Sequence, residues 1–127
     1  MKTETGYIVF AHGSRVESAN QAVRKVAADF AHSKGEGLAE PAFLEIGVPD
    51  LAGAVVALAQ RGVKDIVVLP YFLTLGTHMQ RDLPKLVEEA LAGHPGMTIS
   101  VAPPLDGHPA LIEALMDRAT AFERTLH

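Results

Sequence analysis

The 127-residue sequence contains no cysteine. That absence removes disulfides, thiolate zinc sites, iron–sulfur clusters and cysteine nucleophiles together. A transition metal handled by this chain has to be met by its 6 histidines and 15 acidic residues. Positive charge is also scarce. Eleven Lys and Arg against 15 Asp and Glu leave a formal charge of −4, without the basic footprint that binding to a phosphate backbone requires. No apolar run approaches the ~20 residues that span a bilayer as a helix. The opening Met-Lys-Thr-Glu-Thr-Gly has neither an apolar leader core nor an Arg-rich amphipathic pattern. The expectation is a cytoplasmic protein that binds neither nucleic acid nor membrane. Among short motifs, the P-loop, the G-x-S-x-G elbow, the G-x-G-x-x-G turn and the H-E-x-x-H helix are all missing. Their absence argues against nucleotide hydrolysis, triad hydrolysis, dinucleotide binding and zincin chemistry.

What is present is an ordinary globular composition, 48% apolar and 20% charged, in a length that suits one domain over residues 1–127. Short apolar runs alternate with helical patterns four times. Tyr7 to Ala11 reads as a strand buried on both faces. Val16 to Lys34 carries apolar residues at Val16, Ala19, Val23, Val26, Ala27 and Phe30, the spacing of an amphipathic helix, with Gly35 and Gly37 as its stop. A weaker strand is expected over Pro41 to Ile46, then a helix from Leu51 to Arg61 with Asp50 as N-cap and Gly62 beyond its end. Asp65 to Phe72 is the strongest strand pattern. Pro84 lacks an amide hydrogen and restricts Leu83, so the third helix is expected to start no earlier than Pro84. Met97 to Ala102 and Ala110 to Thr125 complete a β-α-β-α-β-α-β-α order. Right-handed crossovers then predict a flavodoxin-like, doubly wound α/β domain: a parallel four-stranded sheet of order 2-1-3-4 with helices on both faces.

In such a sheet ligands bind beyond the carboxyl ends of the strands, at the switch between strands 1 and 3. Those ends carry His12-Gly13-Ser14-Arg15, Leu44-Glu45-Ile46, Leu73 to His78, and Pro103 to His108. His12 follows a buried strand directly. Gly13 lets backbone approach a ligand, and Ser14 can cap the next helix; a loop histidine that merely hydrogen-bonds its surroundings is the plain alternative. His78 stands in the same position after strand 3. Asp82 can orient its ring, or simply cap a helix. Glu45 interrupts an apolar stretch, where an unpaired carboxylate is costly to bury; it is a third ligand or the partner of Arg15. Two imidazoles and a carboxylate suit Co²⁺, Ni²⁺, Fe²⁺ or Zn²⁺. Phe72, Leu73 and Leu75 can wall a flat apolar ligand, with Tyr71 assigned to the core. Asp106 and His108 fit a solvated rim, and His32, His94 and His127 the surface. Arg15, Arg81 and Lys85 offset the negative charge near the crevice for an anionic ligand.

Ala11-His-Gly-Ser-Arg15, Phe43 to Leu51, and Leu69 to His78 with Asp82-Leu-Pro84 resemble the short form of the sirohydrochlorin metal chelatases, the cobalt- and iron-inserting group of class II tetrapyrrole chelatases. The resemblance runs over nearly the whole chain. It implies His12 and His78 as catalytic histidines and His12, Glu45 and His78 as metal ligands. Ser14, Arg15, Glu45 and the segment Phe72, Leu73, Thr74, Leu75, Gly76 and Thr77 are implied as substrate contacts. It further implies a homodimer that encloses the macrocycle, with the divalent metal (cobalt, iron or nickel) as substrate and no tightly bound cofactor. Affinity order favours nickel over cobalt and iron in any N/O site, so these ligand types do not select the metal. Two other functions also fit parts of the pattern. Phosphocarrier domains of sugar-uptake systems place a His-Gly after strand 1, and a metal or tetrapyrrole carrier would bind without catalysis.

Overall fold

Uninterrupted β-branched and aromatic runs are stable as strands covered on both faces, and the two strongest runs lie side by side at the centre of the sheet. The structure, a computed structural model, describes residues 5–34 and 37–126. The opening residues that lack a leader pattern (1–4), the helix-stop Gly35 and the surface-assigned His127 lie outside the described residues. In chain order the elements are β1 (Thr5–Ala11), α1 (Glu17–Lys34), β2 (Ala39–Phe43), α2 (Leu51–Gln60), β3 (Asp65–Pro70), α3 (Thr77–Leu91), β4 (Thr98–Val101) and α4 (Pro109–Glu123), with a 3₁₀ turn over Arg124–Leu126. The strands are parallel in the order β2-β1-β3-β4, the doubly wound α/β topology expected from the sequence. Among the described residues no helix is long and apolar enough to cross a membrane.

The pleat of β1 divides the core. Ile8 and Phe10 face α2 and α3, where Leu51, Ala54, Val55, Leu58 and Leu83 close over them. Val9 and Ala11 face α1, packing on Val23 and Ala27 together with Phe43 of β2. Asp50 caps α2 as expected, its carboxylate accepting from the Gly53 amide at 2.8 Å. α4 is the exception to this packing: none of its residues is buried.

Three of the boundaries that differ from the sequence reading do so for physical reasons. β2 ends at Phe43 and β3 at Pro70, because the chain turns outward there to form the site loops. α3 begins at Thr77, seven residues ahead of Pro84, which sits inside it. The ring is tolerated because Pro84 lies on the exposed side, and the carbonyl it leaves without a donor, that of Gln80, is also on an exposed residue. Met79 and Leu83, on the opposite side, are buried and hold the helix down. Pro84→Ala restores that hydrogen bond and is expected to stabilise the fold by about 1–3 kcal/mol, raising the unfolding midpoint in a thermal scan.

Candidate active site

The site loops leave the sheet where backbone pairing continues past the strands. The Leu44 amide donates to the Ala11 carbonyl at 2.9 Å and the Glu45 amide to the His12 carbonyl at 3.1 Å. This ladder carries His12 and Glu45 out together. The His12 Nδ1 lies 4.0 Å from Glu45 Oε1, and each side chain is 62% exposed. Glu45 is thus a solvated carboxylate beyond the end of β2, not the buried one its apolar flanks suggest. The His12 ring stands edge-on to Phe72 with centroids 5.6 Å apart, and Phe72 stands in the same way 6.1 Å from Phe10, so the imidazole rests on an aromatic column rooted in the core.

Gly13 explains how the two loops come so close. Its φ is +93°, and a Cβ there would lie 1.7 Å from the Glu45 carbonyl oxygen. The glycine therefore makes room for Glu45's own backbone, where the sequence suggests room for a ligand. Ser14 does not cap α1, which begins at Glu17; its hydroxyl accepts from the Val16 amide at 3.0 Å, closing a local turn ahead of the helix.

His78 is the second residue of α3, exposed on its first turn, and Asp82 one turn on lies well inside the helix, so it is not a cap. Gly76 is the N-cap residue, with φ −66° and nothing within 4 Å of the place a methyl group would take; the turn does not require glycine. His12, Phe72, Thr74, Gly76, Thr77, His78 and Asp82 line one cavity of about 360 Å³. Leu73 and Leu75 point elsewhere. Leu75 packs towards the core, and Leu73 is 65% exposed beside a larger apolar depression of about 570 Å³ along α4. The smaller cavity is the one on which both imidazoles open. Tyr71, expected in the core, is 43% exposed; only its amide is tied in, donating to the Phe10 carbonyl at 2.7 Å. Arg15, Arg81 and Lys85 are exposed and stand outside that cavity's lining. His108 caps α4, its Nδ1 accepting from the Ala110 amide at 3.0 Å. Among the described residues no three His, Asp or Glu side chains form a ready-made metal cage.

A family model described as CbiX matches residues 6–121. The chain belongs to the CbiX family. It is 32% identical over 113 residues to a sirohydrochlorin ferrochelatase from the chloroplast of Arabidopsis thaliana, covering 89% of this chain and 50% of that protein. It is also 32% identical to a sirohydrochlorin cobaltochelatase of Sulfurisphaera tokodaii over 122 residues, 94% of this chain and 95% of that one. A crystal structure from Marinobacter aquaeolei VT8, described as a cobalamin (vitamin B12) biosynthesis CbiX protein, superposes with a TM-score of 0.85 at 31% identity, covering 98% of this chain and all of the other. The chain spans half the length of the plant relative and nearly the whole of the other two. These matches give the phosphocarrier alternative no support.

One residue of this CbiX chain that the sequence reading does not single out ties two of the site loops together. Asn20 is 2% exposed. Its Oδ1 accepts from the Ser14 amide at 2.9 Å, while its Nδ2 donates to the Ser14 carbonyl at 2.8 Å and to the Ile46 carbonyl at 3.1 Å. It clamps the His12 loop to the Glu45 loop, and Ile46 takes up φ +49° in the process. A signal for it exists: an amide four residues after Val16 and three before Val23 lies on the apolar stripe of α1. Arg24 reinforces the same loop from the next turn. It donates to the Val48 carbonyl at 3.1 Å and to Glu17 at 2.7 Å and lies over the Phe43 ring. The hydrogen bond from Arg24 holds the Glu17 carboxyl below its ordinary pKa. Asn20→Ala strands these backbone groups and is expected to cost roughly 2–4 kcal/mol, with a larger loss of activity than of stability, read by thermal unfolding beside a turnover assay.

Proposed function

We infer that this CbiX chain is a sirohydrochlorin metal chelatase, inserting a divalent ion (cobalt first, iron or nickel as the alternatives) into the macrocycle for cobalamin or siroheme synthesis. The names of its relatives support the reaction, and the cavity shared by His12 and His78 is the structural observation that carries it.

The reaction balances simply. One M²⁺ enters, four ring nitrogens bind it, and two pyrrole N–H bonds break with release of two protons. His12 and His78 hold the incoming ion, with Glu45 beside them. The absence of a tight three-ligand cage among the described residues suits an ion that must be surrendered: a rigid, saturated site would retain it. A nitrogen bonded to metal has no lone pair for a proton, so His12 acts first as ligand and then, once the ion passes to the ring, as base. The Glu45 carboxylate lies 4.0 Å from the His12 Nδ1. The exposed ring then gives each proton to water.

Phe72, Thr74, Gly76 and Thr77 present one wall to the flat macrocycle; Leu73 and Leu75, which point away from this cavity, are not part of it. Ser14 and the exposed Arg15 meet its peripheral carboxylates. The metal is a substrate and no resident cofactor is required. The same reading makes the protein a cytoplasmic homodimer. The test is a UV–visible assay of the purified chain with sirohydrochlorin and Co²⁺, Fe²⁺ or Ni²⁺ in turn. Metallation faster than in a protein-free control is expected with at least one ion. Binding of both substrates without acceleration would overturn the chelatase in favour of a carrier.

A further inference from the structure

A hydrated dication gives up its water only where the protein offers donors and negative charge in return. The cavity on which His12 and His78 open offers two imidazoles, the side chains of Thr74 and Thr77, and apolar surface. Among the described residues its one carboxylate is Asp82, since Glu45, beyond the end of β2, stands outside that lining.

The helix places Asp82 beside His78. The two are four residues apart on α3, the spacing at which side chains stand one above the other on a helix face. Helical side chains lean towards the N-terminus, so the Asp82 carboxylate reaches back over the turn that carries His78. The adjoining stripe, Met79 and Leu83, is buried and fixes the rotation that turns His78 and Asp82 to the cavity. Two ligands at this spacing form a chelate on a single helix, as paired histidines do for zinc.

The carboxylate is also uncommitted. The ion pairs among the described residues are His12–Glu45, Glu17–Arg24, Lys25–Asp29 and Glu40–Arg61. Asp82 is in none of them, although Arg81 and Lys85 flank it in sequence. A cation beside His78 meets the positive end of the α3 dipole, and the first turn of that helix holds no acidic residue. Asp82, one turn on, supplies the charge that offsets it.

We propose that Asp82 is a ligand of the incoming ion, forming with His78 a two-point chelate on α3 that His12 completes from across the cavity. The inference rests on the chelatase reading and adds a ligand to it. As the ion binds, an imidazole nitrogen and a carboxylate oxygen displace two of its waters. The ring nitrogens later displace the carboxylate in turn.

Calorimetric titration of the purified chain with Co²⁺ alone tests this, beside insertion into sirohydrochlorin. Asp82→Asn keeps the size of the side chain and removes its charge; the residue is exposed, so the unfolding midpoint is expected to hold. Co²⁺ binding is expected to weaken about 10–100-fold, the range in which metal sites respond to loss of a supporting group. The fall in kcat/KM for the ion is carried by KM, and Asp82→Glu, which keeps the charge, recovers most of the affinity. Unchanged Co²⁺ binding in Asp82→Asn overturns the proposal. So does a fall in kcat with Co²⁺ affinity intact, which marks a residue that only orients His78. Co²⁺ binding that weakens as expected, in a chain that never accelerates insertion, leaves the ligand standing and sinks the chelatase reading instead.

Discussion

His12→Ala is expected to reduce metal insertion to the protein-free rate while leaving the fold standing. The ring is 62% exposed, so its removal opens no cavity in the core. The substitution takes away the edge-on packing against Phe72, and an aromatic pair of this kind contributes ~0.5–1.5 kcal/mol, with exposure placing it at the lower end. The effect on function is far larger. General-base catalysis alone accounts for ~10²–10⁴ in rate, and the same change removes a ligand to the incoming ion. Far-UV circular dichroism with thermal unfolding checks the first half and turnover of sirohydrochlorin the second. A variant that retains turnover removes His12 from the mechanism.

Gly13→Ala acts by a different route and is expected to damage fold and function together. The added methyl would meet backbone, with the Glu45 carbonyl oxygen at 1.7 Å and the Ile46 carbonyl oxygen at 3.1 Å, so no side-chain rotation relieves it. A positive φ adds ~1–3 kcal/mol of strain for an L side chain. Separation of the two loops breaks the Glu45–His12 backbone bond and the Asn20–Ile46 bond, worth ~1 kcal/mol each. Together these come to roughly 3–5 kcal/mol, a large part of the ~5–15 kcal/mol that holds a domain of this kind. Gly76→Ala is the matched control. With φ −66° and open space at its Cβ position, it is expected to shift the unfolding midpoint by only a few degrees. Equal losses in the two variants would show that neither depends on the close approach of the loops.

The sequence is a good guide to this fold wherever one physical signal dominates. β1 and β3 are central because nothing polar interrupts Ile8 to Ala11 or Ile66 to Leu69, and crossover handedness then leaves few strand orders. Glycine after Arg61 and aspartate before Leu51 mark the ends of α2 because backbone chemistry at helix termini is local. The differences arise where local preference loses to tertiary context. Pro84 reads as a helix start, yet Met79 and Leu83 bury enough surface to carry the helix across it. Glu45 reads as buried because its neighbours are apolar, yet β2 ends two residues earlier and the side chain turns outward. Gly13 reads as space for a ligand because no sequence pattern reveals which loop will approach it. Asn20 escapes notice inside an amphipathic helix, although a lone amide on an apolar stripe requires buried partners. Tyr71 shows the converse: an aromatic side chain beyond a strand end, left partly in solvent.

The central claim is that two imidazoles, His12 after β1 and His78 at the start of α3, meet one divalent ion. X-ray absorption at the cobalt edge, on the purified chain loaded with one equivalent of Co²⁺, tests it most directly. The account predicts two imidazole nitrogens around cobalt in the unaltered chain and a single one in both His12→Ala and His78→Ala. A cobalt environment that neither substitution changes would contradict it.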